Sequence, residues 1–140
     1  MYLQPLQHIK LLAFDADDTL WDCQGYFEAV EKAYCKLLSS YGSFDEISSR
    51  LFSVESANMA LMGYGSKAFT LSMIENAIRV TNGKLSNDQL LEILNLGKSL
   101  LQLPATPLKG VVDTLRSLRA SKRYSMVVFT KGDNLEQESK

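Results

Sequence analysis

Three carboxylates stand within four residues where Phe14 gives way to Asp15, Ala16, Asp17, Asp18 and Thr19. Like charges this close repel one another, and the cost is tolerated mainly where a proton or a cation offsets it. A hard divalent ion is the natural counterpart, because magnesium favours carboxylate and carbonyl oxygens in a shell that keeps several waters. Asp15 could give one oxygen to such an ion and use the other as a nucleophile towards phosphorus. Asp17, two residues on, could protonate a leaving alcohol and later activate water against the acyl phosphate, dividing one hard displacement into two easier ones. The plain structural alternative is a solvated helix start capped by Asp18 or Thr19. Leu20 and Trp21 weigh against it, since a merely solvated loop has no use for two large apolar residues.

The acidic loop needs an element to hold it, and the run His8 to Phe14, following Pro5, reads as a buried strand ending at Asp15. A second strand, Ser125 to Thr130, is rich in β-branched and aromatic residues and also ends in a polar turn, Lys131 to Asn134. The Thr130 hydroxyl, with backbone N–H groups of the turn, would make a phosphate cradle beside Asp15. Between the strands, apolar residues recur at helical spacing over four segments: 23–40, 45–61, 67–79 and 86–101, the last opening on a capping box of Ser86 and Gln89. A fifth helix spans roughly 108–120 after Pro104 and Pro107. Uninterrupted apolar strands with a crossover helix predict a parallel α/β sheet, whose ligands bind at the carboxyl ends of the strands. Asn134 to Lys140 begins another helix with almost nothing to bury.

The residues from Leu11 to Thr19, an apolar strand followed by Asp-x-Asp-x-Thr and continued by Leu20 and Trp21, resemble the first motif of the haloacid dehalogenase-like hydrolase superfamily, in its phosphatase branch. The resemblance implies a Rossmann-like parallel core, only its first part present, with an inserted all-helical cap: 1–21 and 105–140 as core, 22–104 as cap. It implies Asp15 as nucleophile, Asp17 as general acid/base, and Mg²⁺ held by the Asp15 carboxylate and the Asp17 backbone carbonyl. Met126 to Thr130 is similar to the second motif, which makes Thr130 the phosphate ligand, helped by the Lys131 backbone, with Asp18 counted beside them. The stretch from Thr106 to Val111 looks like the return from cap to core. An intact Asp17 implies phosphoester rather than carbon–halogen hydrolysis. The family's third motif, a Lys or Arg, and its fourth, an acidic contribution to the metal shell, have no counterpart after Thr130.

Trp21, Tyr26 and Phe27 fall near the expected mouth of the site as pocket or core residues. Met59, Met62, Tyr64 and Phe69 stand around Gly63 and Gly65 as a rim or as ordinary packing. His8 lies at the wrong end of the first strand for catalysis, and Arg79 and Arg116 suit surface ion pairs. Cys23 and Cys35 lack metal-ligand spacing and read as buried thiols.

Length and charge narrow the rest. A chain of 140 residues fits one domain or a small core with an insertion. Fifteen basic against sixteen acidic residues, without a basic cluster, argue against a nucleic-acid face. No basic-then-apolar leader occupies Met1 to Ile9, and no apolar stretch approaches a membrane span, so a cytoplasmic protein is expected. Two strands fall short of the usual five or six or so, which predicts either a further carboxyl-terminal core segment or a partner subunit in a homo-oligomer. The expected activity is Mg²⁺-dependent hydrolysis of a small-molecule phosphoester. A phosphoryl mutase would use the same two aspartates, and a non-catalytic module would keep the first motif alone. A signalling phosphoacceptor domain would leave no room for residues 22–104.

Overall fold

The computed structural model describes residues 8–140, so Pro5 and most of the stretch from Met1 to Ile9 considered above lie outside the described residues. In order, its elements are β1 (Leu11–Phe14), α1 (Gln24–Leu37), a 3₁₀ turn (Ser39–Tyr41), α2 (Phe44–Met62), α3 (Ser66–Val80), α4 (Asn87–Leu100), α5 (Val111–Ala120), β2 (Ser125–Val128) and α6 (Asn134–Glu138). The chain forms two compact units: one from the described residues up to Asp22 with Ala105–Thr130, the other from Cys23–Pro104 with Lys131–Lys140.

In the first unit β1 and β2 pair in parallel, Leu11 beside Ser125 and Phe14 beside Val128. Donation from Phe129 N to Phe14 O at 2.7 Å extends the ladder towards the loops. A parallel pair needs a crossover, and α5 supplies its helix. Two further ties hold the acidic loop to the return segment: Leu108 N donates to Leu20 O at 2.9 Å, and Trp21 forms an antiparallel bridge with Pro107.

The strands are not buried as their apolar sequences lead one to expect. Leu11, Val128 and Phe129 are 56%, 56% and 76% exposed. One helix cannot cover both faces of a sheet, and α5 itself has no buried residue; it leaves an apolar cleft of about 370 Å³ against Phe14, Leu20 and Met126.

The second unit is helical throughout residues 23–104, apart from turns. Helices α2 and α4 begin, and α2 ends, for local reasons. Ser43 and Glu46 form a capping box that starts α2 (Ser43 N to Glu46 Oε2, 2.8 Å), and Ser86 and Gln89 form the expected one at α4. Gly63, at φ +70°, stops α2 in a left-handed conformation that a Cβ would strain. Helix α3 packs against both α2 and α4, and α1 against the same two. Its buried Ser66, Phe69, Met73, Ala77 and Val80 follow the i, i+3, i+4, i+7 rule of a helix facing a core. Tyr34, Leu38, Ile47, Leu51, Ile93 and Leu100 complete that core.

Two polar groups inside it keep their partners. The Tyr34 hydroxyl donates to Met73 O at 3.0 Å and accepts from Asn76 Nδ2 at 2.8 Å, and burial pushes its phenol well above the ordinary range. Cys35 is buried and outside any disulfide, its thiol raised to about 11 by burial and then by Glu31; Cys23 is also buried and accepts from Lys140 Nζ at 3.9 Å.

Helix α6 does bury something, against expectation. Glu136 is 5% exposed; its Oε2 accepts from Ser66 N at 3.0 Å and its Oε1 from Ser66 Oγ at 2.6 Å, with Lys140 Nζ 3.8 Å from Oε1. The carboxylate thus satisfies an orphan N–H at the start of α3.

Candidate active site

Carrying the strand register one step past Phe14 and Val128 sets Asp15 alongside Phe129, with Thr130 next in line. The structure therefore brings Asp15 and Thr130 to the same carboxyl edge of the parallel pair, where open α/β sheets hold ligands. Both are exposed.

The loop between them and Trp21 is folded by its own backbone. Ala16, 1% exposed, anchors it, and its carbonyl accepts from Thr19 N at 3.2 Å and Leu20 N at 2.8 Å. Asp18 takes φ +61°, a left-handed conformation that Asp tolerates better than most residues, and its N–H donates to Trp21 O at 2.8 Å. This tight curl turns two i, i+4 spacings into contacts. Thr19 Oγ1 donates to Asp15 Oδ2 at 2.9 Å, and Trp21 Nε1 donates to Asp17 Oδ1 at 2.8 Å.

Each of the two aspartates thus has one oxygen fixed by a neutral donor. Asp15 Oδ1 has no partner among the described residues, which leaves an oriented, solvent-facing carboxylate oxygen. Asp17 is half-buried at the N–H edge of the indole. No group of three or more His, Cys, Asp or Glu side chains gathers among the described residues. Oxygen donors on two carboxylates and their backbone still match magnesium, which commonly takes one or two protein carboxylates and fills its shell with water and phosphate oxygens.

Of the remaining candidates, Lys131, Tyr26 and Phe27 belong to the helical unit. The Lys131 ammonium lies 4.3 Å from the centre of the Tyr64 ring. Tyr26 and Phe27 are half-buried against the helical core, and Phe27 meets Phe69 ring to ring at 5.3 Å. Phe69, counted above with the glycine rim, is a buried core residue, whereas Met59, Met62 and Tyr64 line a cavity. Arg79 pairs with Glu75, as its surface position suggested, and Arg116 lines the apolar cleft beside α5. No described helix is long and apolar enough to cross a membrane.

The indole clamp on Asp17 and the hydroxyl clamp on Asp15 were the residues that sequence reasoning passed over. Their only signal was the repeated spacing of four, Asp15 to Thr19 and Asp17 to Trp21, which has no meaning in a loop until the loop is known to curl.

A family model described as haloacid dehalogenase-like hydrolase matches residues 9–139. The crystal structure of a haloacid dehalogenase-like family hydrolase from Xanthomonas campestris superposes with a TM-score of 0.86 and 37% sequence identity, covering 94% of this chain and 54% of that one. The chain thus spans about half the length of that relative. No curated protein matches.

Proposed function

Because the chain belongs to the haloacid dehalogenase-like hydrolases, we propose that it carries the nucleophile-bearing part of a phosphatase acting on a small-molecule phosphomonoester. The observation behind this is the Asp15 carboxylate itself: exposed at a strand end, one oxygen held by Thr19 and the other open.

In the first half-reaction Asp15 Oδ1 attacks phosphorus, the ester P–O bond breaks, and Asp17 passes its proton to the departing alkoxide. In the second, Asp17 takes a proton from water as that water attacks the aspartyl-phosphate; the acyl P–O bond breaks, and phosphate and the Asp15 carboxylate are regenerated. The Thr130 hydroxyl and the Lys131 backbone N–H hold the phosphoryl oxygens through both steps, with Asp18 beside them. Asp15 and the Asp17 carbonyl would hold Mg²⁺, which when bound neutralises charge on the phosphoryl oxygens. The Trp21 indole keeps Asp17 aimed rather than free to rotate. Residues 22–104 serve as a cap that excludes water and selects the substrate, with 1–21 and 105–140 as core.

The test is phosphate release by the protein from its complete reading frame, with and without Mg²⁺, wild type against Asp15→Asn. Loss of at least ~10²-fold in the variant is expected, the lower end for removal of a positioned catalytic group. A variant rate close to wild type overturns the assignment. Transfer of phosphate to a second organic molecule in place of release would identify a mutase, and inert wild type with Mg²⁺ would identify a non-catalytic module.

A further inference from the structure

Within the helical unit, a cavity of about 480 Å³ opens between the end of α2, the start of α3 and the turn at residues 131–133. That is within the range of about 300–1,000 Å³ typical of small-molecule sites. Met59, Met62 and Tyr64 give it an apolar side; Lys67, Lys131 and Asp133 give it charge.

The charges do not cancel. Lys67 donates to Asp133 at 3.1 Å, so that pair is internally neutral, and Asp133 is held below the usual carboxylate range mainly by that bond. Lys131 has only the face of Tyr64, 4.3 Å away, and no carboxylate partner among the described residues. A ring face gives an exposed ammonium much less than an anion does. A cation entering the cavity would meet two ammonium groups, and a neutral apolar ligand would strip water from Lys131 with nothing in return. An anion with an apolar body answers both sides at once: its charged head to Lys131, its body to the two thioethers, which adapt to irregular shapes.

We propose that this cavity is a binding site for a small organic anion, with Lys131 as the principal charge contact and Tyr64 holding that ammonium in place. The site uses the side chain of Lys131, whereas the phosphatase reading uses only that residue's backbone N–H.

Its test uses phenylacetate as the probe, with neutral phenylacetamide and body-less acetate as controls, followed by the amide resonances of Gly63, Tyr64 and Gly132 in the 140-residue chain. Saturable shifts at these residues are expected for phenylacetate, with both controls at least about tenfold weaker, as is Lys131→Met, whose stem keeps the packing; a tenfold change is the smallest loss typical of a charged contact. Asp15→Asn should bind phenylacetate like wild type, so that failure of the phosphatase reading and failure of this one remain separate. Equal binding of the amide, unchanged affinity in Lys131→Met, or no saturable shift overturns the proposal.

Discussion

Gly97→Ala sets two well-measured effects against each other. In an exposed helix the change would stabilise by up to about 1 kcal/mol. Here Gly97 is buried in α4 against α3, and a methyl group would lie 2.1 Å from Thr70 Oγ1, 2.5 Å from Cγ2 and 2.8 Å from Cβ. Rotating Thr70 moves the first two atoms and sacrifices its 2.6 Å bond to Ser66 O, but Cβ cannot move without its backbone. The helices must therefore separate. Overpacking of this kind costs about 1–3 kcal/mol, so the net expectation after a propensity gain of about 1 kcal/mol is a loss of about 0–2 kcal/mol. Urea unfolding of the 140-residue chain, followed by far-ultraviolet circular dichroism, would show a lower midpoint at unchanged slope. Thr70→Gly removes the clashing atoms, so in the double variant the two penalties should be coupled by about 1 kcal/mol or more in the relieving sense. A stabilising Gly97→Ala, or additive behaviour with Thr70→Gly, would refute the close approach of α3 and α4.

Trp21→Phe keeps the ring and deletes the donor to Asp17; in the complete protein phosphate release should fall about tenfold in kcat with KM little changed, since the interaction aims a reacting group rather than binding substrate. A rise in KM at constant kcat would show that Trp21 contacts substrate instead. Glu55 is raised to about 6, by burial and then by Glu31, so the folded chain holds a proton that the unfolded chain has already released. The resulting stability is fully present below the ordinary carboxylate pKa and is lost as pH rises through about 6; the full shift equals about 2 kcal/mol, which solvent screening of this half-exposed side chain reduces to about 1 kcal/mol. Glu55→Gln should accordingly raise the urea midpoint above pH 7 and leave it unchanged at acid pH; equal gains at both would remove Glu55 from the account.

What could be read from residue order was whatever depends on near neighbours. The helical periods of 86–101 and its capping box were legible because both partners of the box, Ser86 and Gln89, lie within one turn. The parallel pairing followed from two apolar runs separated by a crossover helix. Asp15 and Thr130 were legible because strand ends are where such sheets expose functional groups. The Trp21 clamp was not, since it rests on the positive φ of Asp18. Tyr34 read as one more apolar position in α1, because periodicity assigns a face and is silent about a hydroxyl's partners on another helix. The Glu136 contact joins residues 70 positions apart, and nothing in the composition of 134–140 marks a carboxylate destined for burial. Strand exposure was misjudged for a different reason: hydrophobicity states what a strand would bury, not whether two faces are covered.

The bond from Leu108 N to Leu20 O and the Trp21 to Pro107 bridge have a consequence for how such a chain can change over time. They clip the departure and return of residues 22–106 together, so everything between is a closed loop whose closure cost grows only as about 3/2 RT times the logarithm of its length. Lengthening, shortening or exchanging that loop leaves the strand carrying Asp15 in register with the one leading to Thr130. Selection can thus rewrite the helices without rethreading the nucleophile, and a designer could graft foreign helices between Trp21 and Pro107 at an entropic cost set mainly by the clip itself.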